Sequence, residues 1–484
     1  MTHATQLDAV CQVDPSVYIG KKNLAESLRL TPGGSVTFGG VDVLDFVRER
    51  GTRQYLVDLK QVTGNAKRLV RSFREYPGKF SPSYAVKANP LQPVAERMVR
   101  EGFGTEVTNI HELIYSLSLL KEDATGKEKP QITCNGVSKH YAQRPYKESL
   151  IEVAFRSQLK DGYNVIVNLS SAEEARFAAK IAHKLGGGVR VGVRVNPAIR
   201  PRTAEDLATG AGYTRFGVPL ENTVDIVREI KGSGDLRVVQ LHSHIGSQIS
   251  NLDALLGVAG EHEDDSRGMI PILCSKALEL EQKLGVHIEQ VNIGGGVAVK
   301  YVKTEPTDIE EYGEFWPSYD IEEYASEVTS TLTRIYEDEG GDYPELCLEP
   351  GRWLVANSTA LVLTVTDTFD VLNDFRGSLK GSDKWIITDG SAMTDTHDVV
   401  LLQQWFEILN ASKIGKPSEG LYNIGGIACD SGDVFAWGRD RTGPRRLPRT
   451  EKGDILMVLD VGAYQQALSS NYNMIPTAPV YNIT

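Results

Sequence analysis

Short runs of β-branched and other apolar residues alternate with amphipathic stretches of helical length from Ser81 onward. Stretches such as Ala172–Leu185 and Asn222–Ile230 carry apolar residues at three- and four-residue spacing, as expected of helices that cover a sheet. Eight runs have the character of strands: Ser83–Lys87, Thr105–Thr108, Gln131–Asn135, Asn164–Asn168, Val189–Asn196, Arg237–His244, Glu289–Gly294 and Glu345–Glu349. Eight parallel strands close a barrel, so the pattern predicts a TIM-like (β/α)8 fold.

The pattern changes after Glu349, where strand-like runs follow one another without long helices between them. These runs are Trp353–Val365, Lys384–Thr388, Leu421–Cys429, Val434–Trp437 and Gly453–Asp460. They predict a second, mainly β domain, which the short strand-like runs of residues 1–50 are expected to join. The predicted organisation is therefore α/β + β, with an N-terminal segment 1–50, a barrel 51–349 and a C-terminal β domain 350–484.

Composition and charge argue against several classes of protein. No apolar run approaches the roughly 20 residues that a membrane-spanning helix needs, and the N-terminus lacks the basic and apolar segments of a secretion signal. A net charge of −12 disfavours nucleic acid binding. The five cysteines show no C-x-x-C pair or other metal-binding spacing. The chain is expected to be cytoplasmic and to bind no nucleic acid, membrane or metal.

Lys87 stands at the end of the first predicted barrel strand, in the segment Ser83–Pro90. Catalytic groups of barrels lie at the C-terminal ends of the strands. A partly desolvated lysine at that position could form a Schiff base with an aldehyde. On this segment alone, a solvated lysine at a strand end is the simpler interpretation.

Three further predicted strands end in polar residues or glycine. The glycines of Asn292–Gly296 would let a phosphate approach the backbone closely. The segment Glu349–Arg352 offers a carboxylate that could keep a pyridine nitrogen protonated and a guanidinium that could bind an anion. A third polar segment, His242–Gln248, follows the sixth strand. Each segment alone fits a turn or a core histidine, but four polar strand ends around one rim predict a catalytic site.

Seven segments resemble, in order, the motifs of pyridoxal-phosphate-dependent decarboxylases of the alanine-racemase fold, the family of diaminopimelate and ornithine decarboxylases. These segments are Tyr84–Pro90, His242–Gln248, Asn292–Gly296, Glu349–Arg352, Cys429–Asp433, Gly462–Tyr464 and Ser470–Asn473. The resemblance implies a cofactor-binding barrel with a β domain. It also implies an enzyme that removes carbon dioxide from an amino acid.

The resemblance also implies roles for single residues. Lys87 would hold pyridoxal 5'-phosphate as a Schiff base, and Glu349 would pair with the pyridine nitrogen. His244 would stack on the cofactor ring, and Glu106 would lie beside the cofactor. The residues implied to bind the phosphate are Ser247, Gly294, Gly295, Gly296 and Tyr464.

The family's cysteine motif implies a homodimer with shared active sites, because its loop completes the site of the neighbouring subunit. Cys429 would be the proton donor, although Lys87 could also reprotonate the carbanion that decarboxylation leaves. Asp430, Arg352 and Tyr464 would contact the substrate. Arg352 binds the phosphate in some members and a substrate carboxylate in others, so its role stays open.

The distal end of the substrate is where this chain departs from diaminopimelate decarboxylases. Those enzymes usually have Cys-Glu-Ser where this chain has Cys429-Asp430-Ser431, and they carry arginines that are missing from Asp389–Asp395 and Tyr472–Pro476. Asp430 resembles the acid that ornithine decarboxylases carry at this position, and the segment Trp405–Ser412 resembles the D-ornithine/lysine decarboxylase branch. The predicted substrate is therefore a lysine- or ornithine-like diamino acid of D or L configuration.

Several alternatives remain open. The same motifs fit a diaminopimelate decarboxylase that makes L-lysine, or a decarboxylase of a specialised natural-product pathway, and the role of Arg215 in Thr214–Gly217 is undecided. A racemase on this barrel would share Lys87 but needs a second base, and the Cys429 motif argues against it. A non-catalytic relative would be expected to have lost the cofactor contacts that are present here.

Overall fold

The computed structural model describes residues 27–31, 34–121, 129–257, 267–303, 313–339, 342–371, 384–437 and 443–484. The chain divides into two compact units. The barrel unit comprises Ala66–Val297 and Ser318–Gly351, and the β unit comprises Met1–Asn65, Ala298–Pro317 and Arg352–Thr484. No helix within the described ranges is long and apolar enough to cross a membrane.

The barrel unit contains a closed ring of parallel strands. Barrel strands 1 to 8 are Phe80–Ala85, Gly104–Val107, Ile132–Cys134, Val165–Leu169, Val189–Asn196, Leu236–His242, Gln290–Asn292 and Glu345–Leu348. Strand 1 pairs with strands 2 and 8, and strand 4 pairs with strand 5, which closes the ring. The predicted eight-stranded barrel is confirmed, and every predicted run overlaps an observed strand.

Amphipathic helices accompany the strands, and local sequence explains where they begin and end. The long helices are Leu59–Ser72, Gln92–Arg100, Ile110–Lys121, Leu150–Leu159, Ala172–Leu185, Thr223–Gly232, Met269–Leu284 and Ile321–Glu339. Ser149 and Glu152 form a reciprocal capping box at one helix start. The Ser171 side chain accepts the Glu174 N–H at another start, and Gly186 ends that helix in a left-handed conformation.

The interior of the barrel is unusually polar. Gln240 Nε2 donates to Gln290 Oε1 at 2.8 Å, and Gln290 Nε2 donates to Gln131 Oε1 at 3.0 Å. All three side chains are buried. Branched apolar residues usually fill such barrels. Buried amides need hydrogen-bond partners, and these residues supply them to one another, between the neighbouring strands 6 and 7 and across the barrel between strands 7 and 3.

The β unit is built on a nine-stranded sheet. Its strands are Gln54–Asp58, Thr359–Asp370, Lys384–Thr388, Ile408–Asn410, Gly420–Gly425, Val434–Ala436, Arg445–Leu447, Ile455–Val458 and Val480–Ile483. This confirms the predicted mainly β domain. The prediction of a strand over Trp353–Val365 is wrong for its first part, because Arg352–Val355 is a helix followed by the 3-10 turn Ala356–Ser358. The Ser358 hydroxyl donates to the Val355 carbonyl and closes this turn.

The N-terminal part of the β unit forms a small antiparallel sheet of Leu28–Leu30, Val36–Phe38 and Val41–Asp42, followed by the helix Val43–Arg50. Its apolar residues share a core with the large sheet: Phe38, Phe46, Leu56, Met457 and Ile483 are among the buried members. The described N-terminal residues therefore belong to the β unit, as the fold prediction required. The unit extends to Asn65 and also takes in Ala298–Pro317, whereas the predicted barrel ran from 51 to 349.

Candidate active site

Lys87 follows barrel strand 1, which ends at Ala85, and lies in the 3-10 turn Val86–Ala88. Its Nζ is 2.7 Å from Glu106 Oε2 on strand 2. The Lys87 side chain is 37% exposed, whereas that of Glu106 is only 1% exposed. Burial raises the pKa of Glu106, although the charge of Lys87 opposes this. The pair can therefore exchange a proton, and the lysine can be reached from outside the barrel.

Glu349 lies one residue beyond strand 8 and receives hydrogen bonds from the ends of three other strands. Asn135 Nδ2 and His242 Nε2 are 2.9 and 3.1 Å from Oε2, and Asn292 Nδ2 is 2.8 Å from Oε1. Burial alone would raise the pKa of Glu349, but His242 and the donated hydrogen bonds outweigh it and lower the pKa. This buried carboxylate is therefore ionised at neutral pH.

Two histidines follow one another closely at the end of strand 6. Burial lowers the pKa of His242 and of His244, so both rings are neutral at pH 7. Neutral His242 donates from Nε2 to Glu349, and its buried Nδ1 has no hydrogen-bond partner within the described residues. His244 Nδ1 accepts the Gly295 N–H at 3.3 Å. A neutral, partly exposed ring at position 244 suits stacking on an aromatic cofactor.

The glycine segment after strand 7 packs tightly against neighbouring backbone. A Cβ at Gly294 would lie 2.6 Å from the Ser243 carbonyl oxygen, one at Gly295 2.4 Å from that of Glu349, and one at Gly296 2.5 Å from that of Gly246. Gly294 and Gly296 also have positive φ values of 68° and 105°. Only glycine fits this close backbone approach without rearrangement.

Two of the three glycine N–H groups already donate within the protein. The Gly294 N–H binds Asn292 Oδ1 at 2.9 Å, and the Gly295 N–H binds His244 Nδ1. A phosphate that used all three groups would have to displace these acceptors. The predicted phosphate contacts of the glycines and of Ser247, which lies beyond strand 6 in the same unit, remain predictions.

Arg352, predicted to bind an anion, is in the β unit and is already paired there. Its Nη1 is 3.1 Å from the Tyr301 hydroxyl and 3.4 Å from Asp398 Oδ2, and its guanidinium carbon is 4.6 Å from the Tyr464 ring centre. The Arg352 and Asp398 side chains are 4% and 3% exposed. These contacts raise the pKa of Arg352 further despite its burial. The guanidinium therefore has an internal carboxylate as its counter-ion.

Cys429 and Asp430 lie on an exposed loop of the β unit, between the strands Gly420–Gly425 and Val434–Ala436. The Cys429 N–H donates to Asn473 Oδ1 at 2.7 Å. The Tyr472 hydroxyl donates to Asp430 Oδ2 at 3.3 Å. The loop is thus held against the segment 472–474, with the Cys429 thiol at the surface.

A buried carboxylate anchors the base of the Cys429 loop. Asp433 Oδ2 accepts the Ala428 N–H at 2.6 Å, and Oδ1 accepts the Ser391 hydroxyl at 2.9 Å. The Asp433 residue is only 3% exposed. The loop therefore has a fixed origin although its tip is exposed.

Some residues of the barrel mouth were not predicted as site residues. Asn135 directly follows strand 3, and Asn168 is the penultimate residue of strand 4. Arg194 is near the end of strand 5, with its guanidinium carbon 4.7 Å from the Phe216 ring centre. Burial lowers the pKa of Arg194, while Glu349 and Glu106 raise it. The position of Asn135, Asn168 and Arg194 near strand ends was the sequence signal that could have identified them as site residues. Polar residues in alternation, as in Gln131-Ile132-Thr133-Cys134-Asn135, also indicate a polar inward face.

The barrel unit thus supplies a reachable lysine, an ionised buried acid, a neutral imidazole ring and a glycine turn that a Cβ would fill. This set fits pyridoxal phosphate. The lysine would bind the aldehyde, the acid would pair with the ring nitrogen, the imidazole would stack on the ring face, and the glycine turn would hold the phosphate. When bound, the cofactor supplies an electron-accepting ring. The fold and the site together define the class of pyridoxal-phosphate barrel enzymes.

Comparison with known proteins assigns the chain within that class. Residues 61–356 match the family model of the pyridoxal-dependent decarboxylase, pyridoxal binding domain. The diaminopimelate decarboxylase of Archaeoglobus fulgidus is 30% identical over 450 residues, covering 92% of this chain and 91% of that protein. The chain therefore belongs to the pyridoxal-dependent decarboxylases and is an amino-acid decarboxylase, as the motifs predicted.

Solved structures agree with the fold. The diaminopimelate decarboxylase of M. jannaschii in complex with L-lysine superimposes with a TM-score of 0.74 at 23% identity, covering 95% of this chain and 93% of that chain. The lysine/ornithine decarboxylase of Vibrio vulnificus with putrescine gives a TM-score of 0.66 at 16% identity, covering 91% and 97%. At these identities the structural matches bear on fold rather than on substrate.

Proposed function

We propose that this decarboxylase binds its cofactor through Lys87 and keeps the cofactor's ring nitrogen protonated through Glu349. The hydrogen bonds that Asn135, His242 and Asn292 donate to Glu349 carry this proposal. A carboxylate with three donors stays ionised in a buried site and can hold a proton on the ring nitrogen opposite it. A protonated ring accepts electrons more strongly, which favours loss of carbon dioxide.

We further propose a diamino acid as the substrate, with meso-diaminopimelate as the first candidate. The relatives from Archaeoglobus fulgidus and Methanothermobacter thermautotrophicus are both named diaminopimelate decarboxylase. The second is 26% identical over 443 residues, covering 92% of this chain and 89% of that protein. Similarity over almost the whole length of both chains supports the same reaction type.

Lysine or ornithine is the second candidate, and the pairing of Arg352 with Asp398 favours it. A guanidinium that already has a buried carboxylate partner gains less from a carboxylate on the substrate. The chain also lacks arginine throughout residues 389–398. Asp430 is exposed on its loop and could meet a distal ammonium group.

A panel assay separates these candidates. Purified enzyme loaded with pyridoxal phosphate is given meso-diaminopimelate and the L and D forms of lysine and ornithine, and carbon dioxide and the amine product are measured. Release from meso-diaminopimelate alone supports the first candidate, and release from lysine or ornithine supports the second. Exchange of the α-hydrogen without carbon dioxide release would contradict decarboxylation and indicate a racemase.

We also propose that the chain acts as a homodimer in which Cys429 serves the neighbouring active site as proton donor. Exposed apolar side chains lie on the loop of Cys429 and on the segment hydrogen-bonded to it: Ile427 is 50%, Tyr472 41% and Met474 91% exposed. An apolar surface of this kind is typical of a protein interface. A second copy is the proposed occupant because the family motif at Cys429 functions across a subunit boundary.

Mixing two inactive variants tests the shared site. Lys87→Ala and Cys429→Ala are each expected to lose activity, and a mixture refolded together should recover activity in hybrid dimers that contain one intact site. Cys274→Ala, which changes a buried cysteine, is the matched control for loss of a thiol. Failure of the mixture to recover activity, in a preparation shown to contain hybrid dimers, would contradict sharing.

A further inference from the structure

A single amide bridges the two acids of the barrel mouth. Asn135 Nδ2 donates to Glu106 Oε1 at 3.1 Å and to Glu349 Oε2 at 2.9 Å. A side-chain NH2 group has two protons, so both are used. Asn135 Oδ1 accepts from Asn168 Nδ2 at 2.9 Å. A flipped amide would turn its oxygen toward two carboxylates, so these contacts fix its orientation.

We propose that Asn135 is a positioning residue that separates the roles of Glu106 and Glu349, by keeping one carboxylate on Lys87 and the other directed at the cofactor's ring nitrogen. Each acid has one oxygen on Asn135. The other Glu106 oxygen binds Lys87 Nζ, and the other Glu349 oxygen binds Asn292 Nδ2. Asn135 thus connects the two acids while leaving each with its own partner.

The bridge matters because two carboxylates close together in a buried site tend to share one proton. Shared protonation would neutralise Glu349 and remove the charge that favours a protonated ring nitrogen. Two N–H donors placed between the acids stabilise the ionised forms and take the place of a carboxylate-to-carboxylate hydrogen bond. Glu106 then exchanges its proton with Lys87 and not with Glu349.

Other charged or titratable groups on the neighbouring elements also interact with these acids: Lys87, Glu112, Cys134, Arg194, His242, His244 and Cys347. Lys139 acts on Cys134 and is itself paired with Glu174 at 2.9 Å. Among the described hydrogen bonds, Asn135 is the residue that touches both acids. Its effect should therefore be separable from the background field of the other groups.

The strand behind Asn135 is adapted to this arrangement. Asn168 holds Asn135 from the end of strand 4, and a Cβ on Gly192 of strand 5 would lie 1.8 Å from Asn168 Oδ1. A glycine in a strand interior weakens the strand, so a close approach is a physical reason for having one there. Strands 3, 4 and 5 thus all contribute to holding the bridging amide.

Cofactor binding to the apoprotein tests the proposal in two variants. Asn135→Ala removes both N–H donors, and Asn135→Asp replaces the NH2 group with a carboxylate oxygen at nearly constant side-chain shape. Titration with pyridoxal phosphate should show binding about ten- to hundredfold weaker in Asn135→Asp. The affinity of this variant should also rise as pH falls, because protonating one of three clustered carboxyls relieves their repulsion. The wild-type protein should show a weaker pH dependence over the same range.

Gln131→Ala is the matched control, because Gln131 is a buried amide at the opposite end of strand 3 that contacts neither acid. If Asn135→Asp is poorly folded, Asn168→Asp replaces it, since a carboxylate behind Asn135 favours the flipped amide and should produce a smaller change of the same sign. Wild-type affinity and pH dependence in the folded Asn135 and Asn168 variants would overturn the proposal. Losses equal to those of Gln131→Ala would also overturn it, by showing a general packing role.

Discussion

Glu349 and Arg352 are separated by two residues in the sequence, yet the surroundings of these buried charges differ in kind. Among the described contacts, the Glu349 carboxylate accepts hydrogen bonds from Asn135, His242 and Asn292. Arg352 has an opposite charge beside it, Asp398, as well as the Tyr301 hydroxyl. The first charge is stabilised without being neutralised, so it can act on a bound group. The second is neutralised within the protein.

This difference separates cofactor chemistry, which all members of the family share, from recognition of the substrate's distal end, which can vary between members. The charge at Glu349 is proposed to serve the cofactor, whose ring is the same for every substrate. The charge at Arg352 is implied to serve either the phosphate or the substrate's far end. A change at Glu349 should therefore affect all substrates alike, whereas a change at Asp398 should affect them differently.

Glu349→Gln should have the largest effect. Removing the charge that is proposed to lie opposite the ring nitrogen is expected to lower kcat by about a hundredfold to a thousandfold, on the order found when a preorganised electrostatic group is lost. The rates for lysine, ornithine and meso-diaminopimelate, relative to one another, should stay unchanged. Steady-state kinetics on the loaded enzyme measure both quantities.

Glu345→Gln provides the control for that experiment, since Glu345 begins the same strand and lies on the same side of it but contacts Ser81 and Gln290 instead. A kcat within severalfold of wild type in Glu349→Gln, with cofactor bound, would contradict the assignment of Glu349 to the ring nitrogen.

The pH dependence of stability should differ in sign between the barrel acid and a buried acid of the β unit, Asp395. Burial raises the pKa of Asp395 to about 6, although the Ser391 N–H and Arg53 oppose this. The folded state then binds more protons than the unfolded state, so stability falls as pH rises from about 4 to about 6. Glu349 has a lowered pKa, so its contribution is present at neutral pH and is lost as pH falls below about 4.

Asp395→Asn tests this sign. It should remove the loss of stability between pH 4 and pH 6, a change on the order of 2 kcal/mol in the free energy of unfolding. Denaturant unfolding of the wild-type and variant apoproteins at several pH values in this range measures it. Asp45→Asn, at an exposed carboxylate, is the control. Parallel pH profiles for wild type and Asp395→Asn would show that Asp395 titrates normally.

Asp398→Asn should change substrate preference. Freeing Arg352 from its internal counter-ion should raise kcat/KM for meso-diaminopimelate relative to lysine by about tenfold, through one additional charge-assisted contact to a distal carboxylate. The measurement is the ratio of the two kcat/KM values. An unchanged ratio together with tighter cofactor binding would instead assign Arg352 to the phosphate.

The fold was predictable because its signals are local. Strand-like runs that alternate with amphipathic stretches predicted all eight barrel strands. The segments around Lys87, His244 and Gly294–Gly296 are equally short, but each alone fits a simpler interpretation, and only their ordered series indicates a cofactor site. Each of these signals lies within a few consecutive residues. This is why the barrel could be predicted from one sequence without contacts.

Pairings between distant residues could not be predicted in the same way. Asn135 and Glu349 are 214 residues apart, and their contact depends on strand order and register. The pairing of Arg352 with Asp398 likewise depends on how a helix replaces the start of a predicted strand. Residue type indicates that such groups need partners, but the fold decides which partners they receive.

Arg215→Ala should have the smallest effect, and it tests whether the barrel unit replaces the missing arginines. Arg215 is exposed, and its guanidinium carbon lies 4.7 Å from the Phe216 ring centre, a ring that Arg194 also contacts. Loss of an exposed cation is worth about 0.5 kcal/mol or less, so kcat/KM should change by no more than about twofold for any substrate.

A selective result with Arg215→Ala would alter the comparison between Glu349 and Arg352. If kcat/KM falls tenfold or more for meso-diaminopimelate but not for lysine, Arg215 contacts the distal carboxylate, and specificity lies partly in the barrel unit. Arg200→Ala, at another exposed arginine of the same unit, controls for the loss of surface charge. Equal small effects of both variants on both substrates would leave Arg352 and Asp398 as the pair that determines which distal group is accepted.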